Sequence, residues 1–144
     1  MDASVPFHAS YNRLVPGGWI SARVTGLVRW QPDGLVLELR ERQDRVAFTD
    51  DPGEGGWSPG EGATTSTTIP LQGLTGVTLR GGRLRPPRLL IDVARLELLD
   101  PFPWAEGTRL TLALRRADRA AARELALAAE MALVDVELAH LEQG

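Results

Sequence analysis

The stretch GWISARVTGLVRWQPDGLVLEL, residues 18–39, decides the fold class. Its apolar residues recur at every second position. Ile20, Ala22, Val24 and Val28 fall on one side, and Ser21, Arg23, Thr25 and Arg29 on the other. A period of two sends successive side chains to opposite faces, so the run reads as a half-buried strand. Gln31-Pro32-Asp33-Gly34 reads as a tight turn, because proline presets a negative φ and glycine accepts a positive one. Beyond it, Leu35, Leu37 and Leu39 alternate with Val36, Glu38 and Arg40. Two alternating runs around a Pro-Asp-Gly turn predict a β-hairpin.

Working outward from the hairpin, residues 1–16 read as an N-terminal arm, punctuated by Pro16-Gly17-Gly18, with Val5, Phe7, Tyr11, Leu14 and Val15 to dock it. A short third strand is expected at Val46-Ala47-Phe48. Residues 49–68 hold five glycines, two prolines, four acids and no base. So few apolar residues do not offset the entropy of ordering, and the segment reads as a mobile acidic loop. Ile69 and Leu71 lead to Gly73, and Val77 and Leu79 then alternate with Thr78 and Arg80. Gly81-Gly82 turns the chain. Residues 89–99, LLIDVARLELL, read as one long strand or two with a kink. Pro101 and Pro103 break the run, Ala105-Glu106-Gly107 turns, and Leu110, Leu112 and Leu114 mark the last strand. The chain thus reads as one domain over 1–144, with barrel strands across 17–115.

Residues 116–142 contain no glycine or proline and are rich in alanine, leucine and glutamate, which predicts a long helix. Ala120, Leu127, Met131, Val134, Leu138 and Leu141 form one stripe, expected to cover the β structure. Leu125, Ala129, Ala132, Leu133 and Val136 gather on the far face. A helix apolar on two sides is packed on two sides, so these five residues are the expected self-association interface. Arginines crowd the first half (Arg115, Arg116, Arg119, Arg123) and acids the second (Glu130, Asp135, Glu137, Glu142). That order opposes the helix dipole. An antiparallel second copy would set one half against the other, so a homodimer is expected. The competing reading packs the far face on residues 1–16 of the same chain.

Composition narrows the function classes. The chain has 144 residues, 43% hydrophobic and 24% charged, enough for one core. Sixteen basic and 19 acidic residues give a net charge of -3, a poor balance for general nucleic-acid binding. There is no cysteine, which excludes disulfides and thiolate metal sites. Every basic residue is arginine, the coding bias of a GC-rich genome, and lysine chemistry is excluded with it. The N-terminus lacks a basic and an apolar segment, and no apolar stretch approaches the ~20 residues of a bilayer span. A cytoplasmic location is expected.

Few residues carry chemistry. Glu137-Leu138-Ala139-His140 has the Glu-x-x-His spacing of carboxylate-bridged metal proteins, but the second motif is missing, so no metal or cofactor is expected. His8 has no nearby acid, no serine sits in a Gly-x-Ser-x-Gly elbow, and Gly-rich residues 53–62 lack the Gly-Lys of a phosphate loop. Asp50-Asp51 falls in the acidic loop, away from the rigid placement that catalysis needs. An enzyme is not expected. Residues 80–88, RGGRLRPPR, cluster Arg80, Arg83, Arg85 and Arg88, whose guanidinium groups suit a phosphate or carboxylate. The alternative is a solvated turn with these arginines paired to Asp92 or Glu97. Trp57 is unusual in its polar loop and reads as an anchor to the body or to a partner.

The order of elements resembles that of bacterial pleckstrin homology (PH)-like domains. Two traces support the likeness. One is Ile69-Pro70-Leu71 before Leu74-Thr75-Gly76-Val77. The other is Gly107-x-x-Leu110-x-Leu112-x-Leu114-Arg115-Arg116-x-Asp118-Arg119-x-x-Ala122. The resemblance spans roughly 18–142. It implies a mainly β fold in which about seven antiparallel strands form a half-open barrel capped by one C-terminal helix. Lipid-binding members carry bases around the first hairpin turn, whereas Gln31-Pro32-Asp33-Gly34 has none. The resemblance therefore points to a non-catalytic module that self-associates and binds a protein partner. The alternative is an anion-binding module using Arg80, Arg83, Arg85 and Arg88, for a lipid headgroup or a nucleotide. A PilZ-like cyclic dinucleotide receptor is one form of it, although the Arg-x-x-x-Arg and Asp-x-Ser-x-x-Gly pair is missing.

Overall fold

The computed structural model describes residues 4–47, 60–61 and 64–142. Three long strands open the chain: β1 (Ser4–Val15), β2 (Gly18–Gln31) and β3 (Gly34–Ala47). A two-residue strand β4 (Gly60–Glu61) and β5 (Thr65–Pro70) pair with β3. Then come β6 (Leu74–Arg80), β7 (Arg88–Val93), β8 (Arg109–Ala113) and one helix, α1 (Arg119–Glu142). The sheet runs β4-β3-β2-β1-β8-β7-β6, with β5 also on β3, and every pairing is antiparallel. It bends into a half-open barrel with α1 as its cap.

The expected hairpin is present. Gln31 pairs with Gly34 around Pro32-Asp33, and the two strands stay in register to Gly18 and Ala47. Ala22, Val24 and Val28 on β2 and Leu35 and Leu37 on β3 are buried, as their period-two pattern requires. Leu110, Leu112 and Leu114 are buried in the same way.

Three expectations are corrected. Residues 1–16 are not an arm: Ser4 to Val15 form a full strand against β2. Val5 and Phe7 are buried and Ala9 and Tyr11 continue the same face. Pro16-Gly17 is a hairpin turn in which Gly17 takes φ 82°. A period-two pattern interrupted by Pro6 was thus sufficient for a strand, because the proline needs only a position without a ladder N–H. No separate third strand exists, since β3 runs unbroken from Gly34 to Ala47; Phe48 lies outside the described residues. The acidic loop is shorter than expected, because Thr65–Thr68 belong to β5; residues 49–59, with Asp50, Asp51 and Trp57, lie outside the described residues. Within 89–99, the strand stops at Val93 and Leu96–Leu99 turn into a 3-10 helix that buries Leu99.

The core lies between the sheet and α1. Side chains from every long strand meet Phe102, Ala122, Leu125, Ala126 and Ala129 there. Phe102 stacks edge-on against Trp104 at 5.6 Å, and the Trp104 indole N–H donates to the Thr111 carbonyl at 3.0 Å. The sheet does not close. Strand β6 is its free edge on one side, and α1 lies along it.

Candidate interaction surface

Helix α1 presents the main candidate surface, and its orientation inverts the expectation. Leu125 and Ala129, expected outside, are 2% and 0% exposed on the barrel. Leu133 packs partly against the same core, and Ala132 and Val136 are half-buried. The five residues expected to self-associate therefore belong largely to the intramolecular face. The row expected to face the barrel is open instead: Leu127, Met131, Val134, Leu138 and Leu141 are 51–73% exposed.

The physical reason is size. Both stripes are apolar, so periodicity does not choose between them. The buried face is built mainly of alanines, with Ala122, Ala126 and Ala129 in the core, and small residues let the helix axis approach the sheet closely. A second device fixes the rotation. The Val77 backbone N–H on the open edge of β6 donates to Glu130 Oε1 at 2.9 Å. A free edge N–H thus finds its acceptor on the helix rather than on another strand.

Between β6 and α1 lies a shallow groove of about 470 Å³, with Val77, Leu79, Arg119, Arg123, Leu127 and Glu130 in its walls. Among the described residues, the ion pairs are Arg29–Glu38, Arg109–Asp92 and Arg115–Asp118, at 3.1, 2.8 and 3.1 Å. Neither Arg119 nor Arg123 is in one.

The arginine cluster forms a second surface. Arg80, Arg83, Arg85 and Arg88 are all exposed at the β6–β7 turn. Arg80 and Arg88 stand directly opposite each other in the ladder, a like-charge pair that costs stability in isolation. The expected partner Asp92 is taken by Arg109 instead. That hydrogen bond, and the charge of Asp92 behind it, raise the Arg109 guanidinium above its ordinary value. At the tip of the turn, between Arg83 and Arg85, Leu84 is 94% exposed. Sequence reasoning passed over it, although an apolar residue flanked by arginines and followed by two prolines was a readable signal.

The remaining candidates do not assemble. His8 is exposed beside two hollows lined by Thr25, Arg23, Ser10 and Arg115, with no carboxylate in either. Glu137 is exposed, and the side chain of His140 lies outside the described residues. No group of three potential metal ligands occurs among the described residues. No described helix is long and apolar enough to cross a membrane.

Comparison with protein-family models, curated proteins and solved structures finds no match to this chain. The functional reading therefore rests on the surfaces just described.

Proposed function

We propose that this chain is a non-catalytic, PH-like interaction module of the cytoplasm that self-associates through the outer face of α1 and binds a protein partner. One observation carries the reading: five large apolar side chains stand in an unbroken row along the exposed side of a helix whose other side is already packed. Scattered exposed apolar residues are ordinary, but a contiguous row marks an interaction site. The half-open barrel supplies a rigid base for that face. Multi-angle light scattering on the intact chain tests the reading. A dimer at tens of micromolar is expected. A monomer throughout that range, together with unchanged α1 amide spectra on mixing with cell extract, would sink it.

A second reading has its own observation. Leu84 at the tip of an arginine-lined turn suits the anion-binding alternative, with the apolar tip entering a lipid surface and Arg80, Arg83, Arg85 and Arg88 meeting phosphates. Sedimentation with anionic and zwitterionic vesicles tests it. Binding to the anionic set that is lost in an Arg83→Ala/Arg85→Ala variant would favour this reading. A thermal-shift screen with phosphorylated ligands separates a free nucleotide from a headgroup.

A further inference from the structure

We propose that the occupant of the exposed α1 face is a second copy of this chain, laid antiparallel, with Leu127 against the partner's Met131, Leu138 against the partner's Ala120 and Arg123 beside the partner's Glu137. This rests on the self-association reading above and adds its orientation and contacts.

The spacing of the exposed row is the starting point. Leu127, Met131, Val134, Leu138 and Leu141 are separated by four, three, four and three residues. That is the seam of a two-helix coiled coil, in which apolar residues recur every 3.5 positions; continued toward the N-terminus, the same spacing falls on Glu124 and then Ala120, so the apolar part of the seam starts at Leu127. The buried face follows a different set, Ala122, Leu125, Ala126 and Ala129. One helix therefore carries a barrel-facing stripe and a separate seam on its outer side. Two copies can meet along the seam with their barrels pointing away from each other.

Charge chooses the orientation. The positions flanking the seam are Arg123, Glu130 and Glu137 on one side and Ala128, Asp135 and Glu142 on the other. In a parallel pair, one flank faces the opposite flank of its neighbour. Glu130 would meet Asp135 and Glu137 would meet Glu142, each twice, which is destabilising. In an antiparallel pair like flanks face each other. Overlap of the full helix then sets Arg123 level with the partner's Glu137, again twice, and Ala128 on the other flank faces no charge. The same register puts the bulky Leu138 over the small, exposed Ala120, stacks Leu127 on Met131 across the two-fold axis and sets Glu124 beside the partner's Val134, whereas a parallel pair would set Glu124 against the partner's Glu124 in the seam. Glu130 meets the partner's Glu130 at that axis, the one like-charge contact of this flank against four in the parallel pair, and its carboxylate accepts from the Val77 N–H. Arg123 has no ion-pair partner within its own chain among the described residues, and it stands on the wall of the groove beside Leu127.

The chain has no cysteine, so single introduced thiols report the arrangement directly. Ala120→Cys and Leu138→Cys variants are mixed and oxidised, and the disulfides are read by mass spectrometry. A mixed 120–138 disulfide is expected. Homodisulfides at 138 in place of it, or a 127–138 disulfide formed as readily with Leu127→Cys, would overturn the orientation or the register. Charge reversal gives a second readout. Arg123→Glu and Glu137→Arg should each weaken dimerisation roughly five- to tenfold, and the double variant should restore it. A parallel dimer would respond oppositely to Glu137→Arg, which would relieve its clash with Glu142 and tighten it. Circular dichroism confirms that each variant is folded. If the unmodified chain is a monomer by light scattering, the self-association reading falls and the arrangement with it. A dimer with the wrong cross-links overturns the arrangement alone.

Discussion

At Gly34 the backbone φ is +148°, and a Cβ built there would lie 2.1 Å from the Ile69 carbonyl oxygen. The close approach is structural, because β5 pairs with β3 at this point and the Leu71 N–H donates to the Asp33 carbonyl at 2.9 Å. Gly34→Ala would have to move main chain rather than a flexible side chain. We expect a loss of roughly 1–3 kcal/mol in urea unfolding. A second residue contrast follows from the inverted helix. Leu125 is 2% exposed in the core, so Leu125→Ala should cost about 2–5 kcal/mol. Leu138 is 53% exposed in the single chain, so Leu138→Ala in dilute solution should stay within about 0.5 kcal/mol. Equal losses at the two sites would show that the helix faces have been assigned the wrong way round.

Strands with one buried face were legible from the residues alone, and the helix was not. Ala22, Val24, Val28, Leu110, Leu112 and Leu114 alternate against polar neighbours, so their inward direction follows from pattern. Helix α1 offers two apolar stripes, and sequence periodicity contains nothing that ranks them. The deciding terms are the size of the residues that meet the sheet and one long-range hydrogen bond between Val77 and Glu130, 53 positions apart. Residues 4–15 are poorly legible for a related reason: Pro6 and the polar His8, Ser10 and Asn12 weaken a strand pattern whose inward side, Val5 and Phe7, is nonetheless buried. The expected self-association residues share this fault, since Leu125 and Ala129 lie on the face that the barrel buries. The Val77–Glu130 bond makes its own prediction at this scale. Glu130→Ala removes the acceptor of the Val77 edge N–H in a partly buried setting, which should cost about 1 kcal/mol. Faster amide exchange at Val77, with β7 and β8 amides unchanged, would report a local opening of the β6–α1 seam.

An open sheet closed by a helix leaves the whole molecule with an unfinished surface. The barrel side of α1 is packed, the outer side is apolar, and the helix is about 36 Å long at 1.5 Å per residue. The proposed burial of the outer row against a second copy would couple folding to association, because only the folded helix presents the seam. Mass action would then make apparent stability depend on protein concentration. A hundredfold increase above the dissociation constant should raise Tm by a few degrees for a chain of this size. Leu138→Arg places a charge in the seam without touching the core, so it should abolish the concentration dependence while leaving the dilute Tm nearly unchanged. Scanning calorimetry at two concentrations reads both quantities at once. A concentration dependence that survives Leu138→Arg would move the contact off this face of α1, and the arginine turn with Leu84 at its tip would become the next surface to alter.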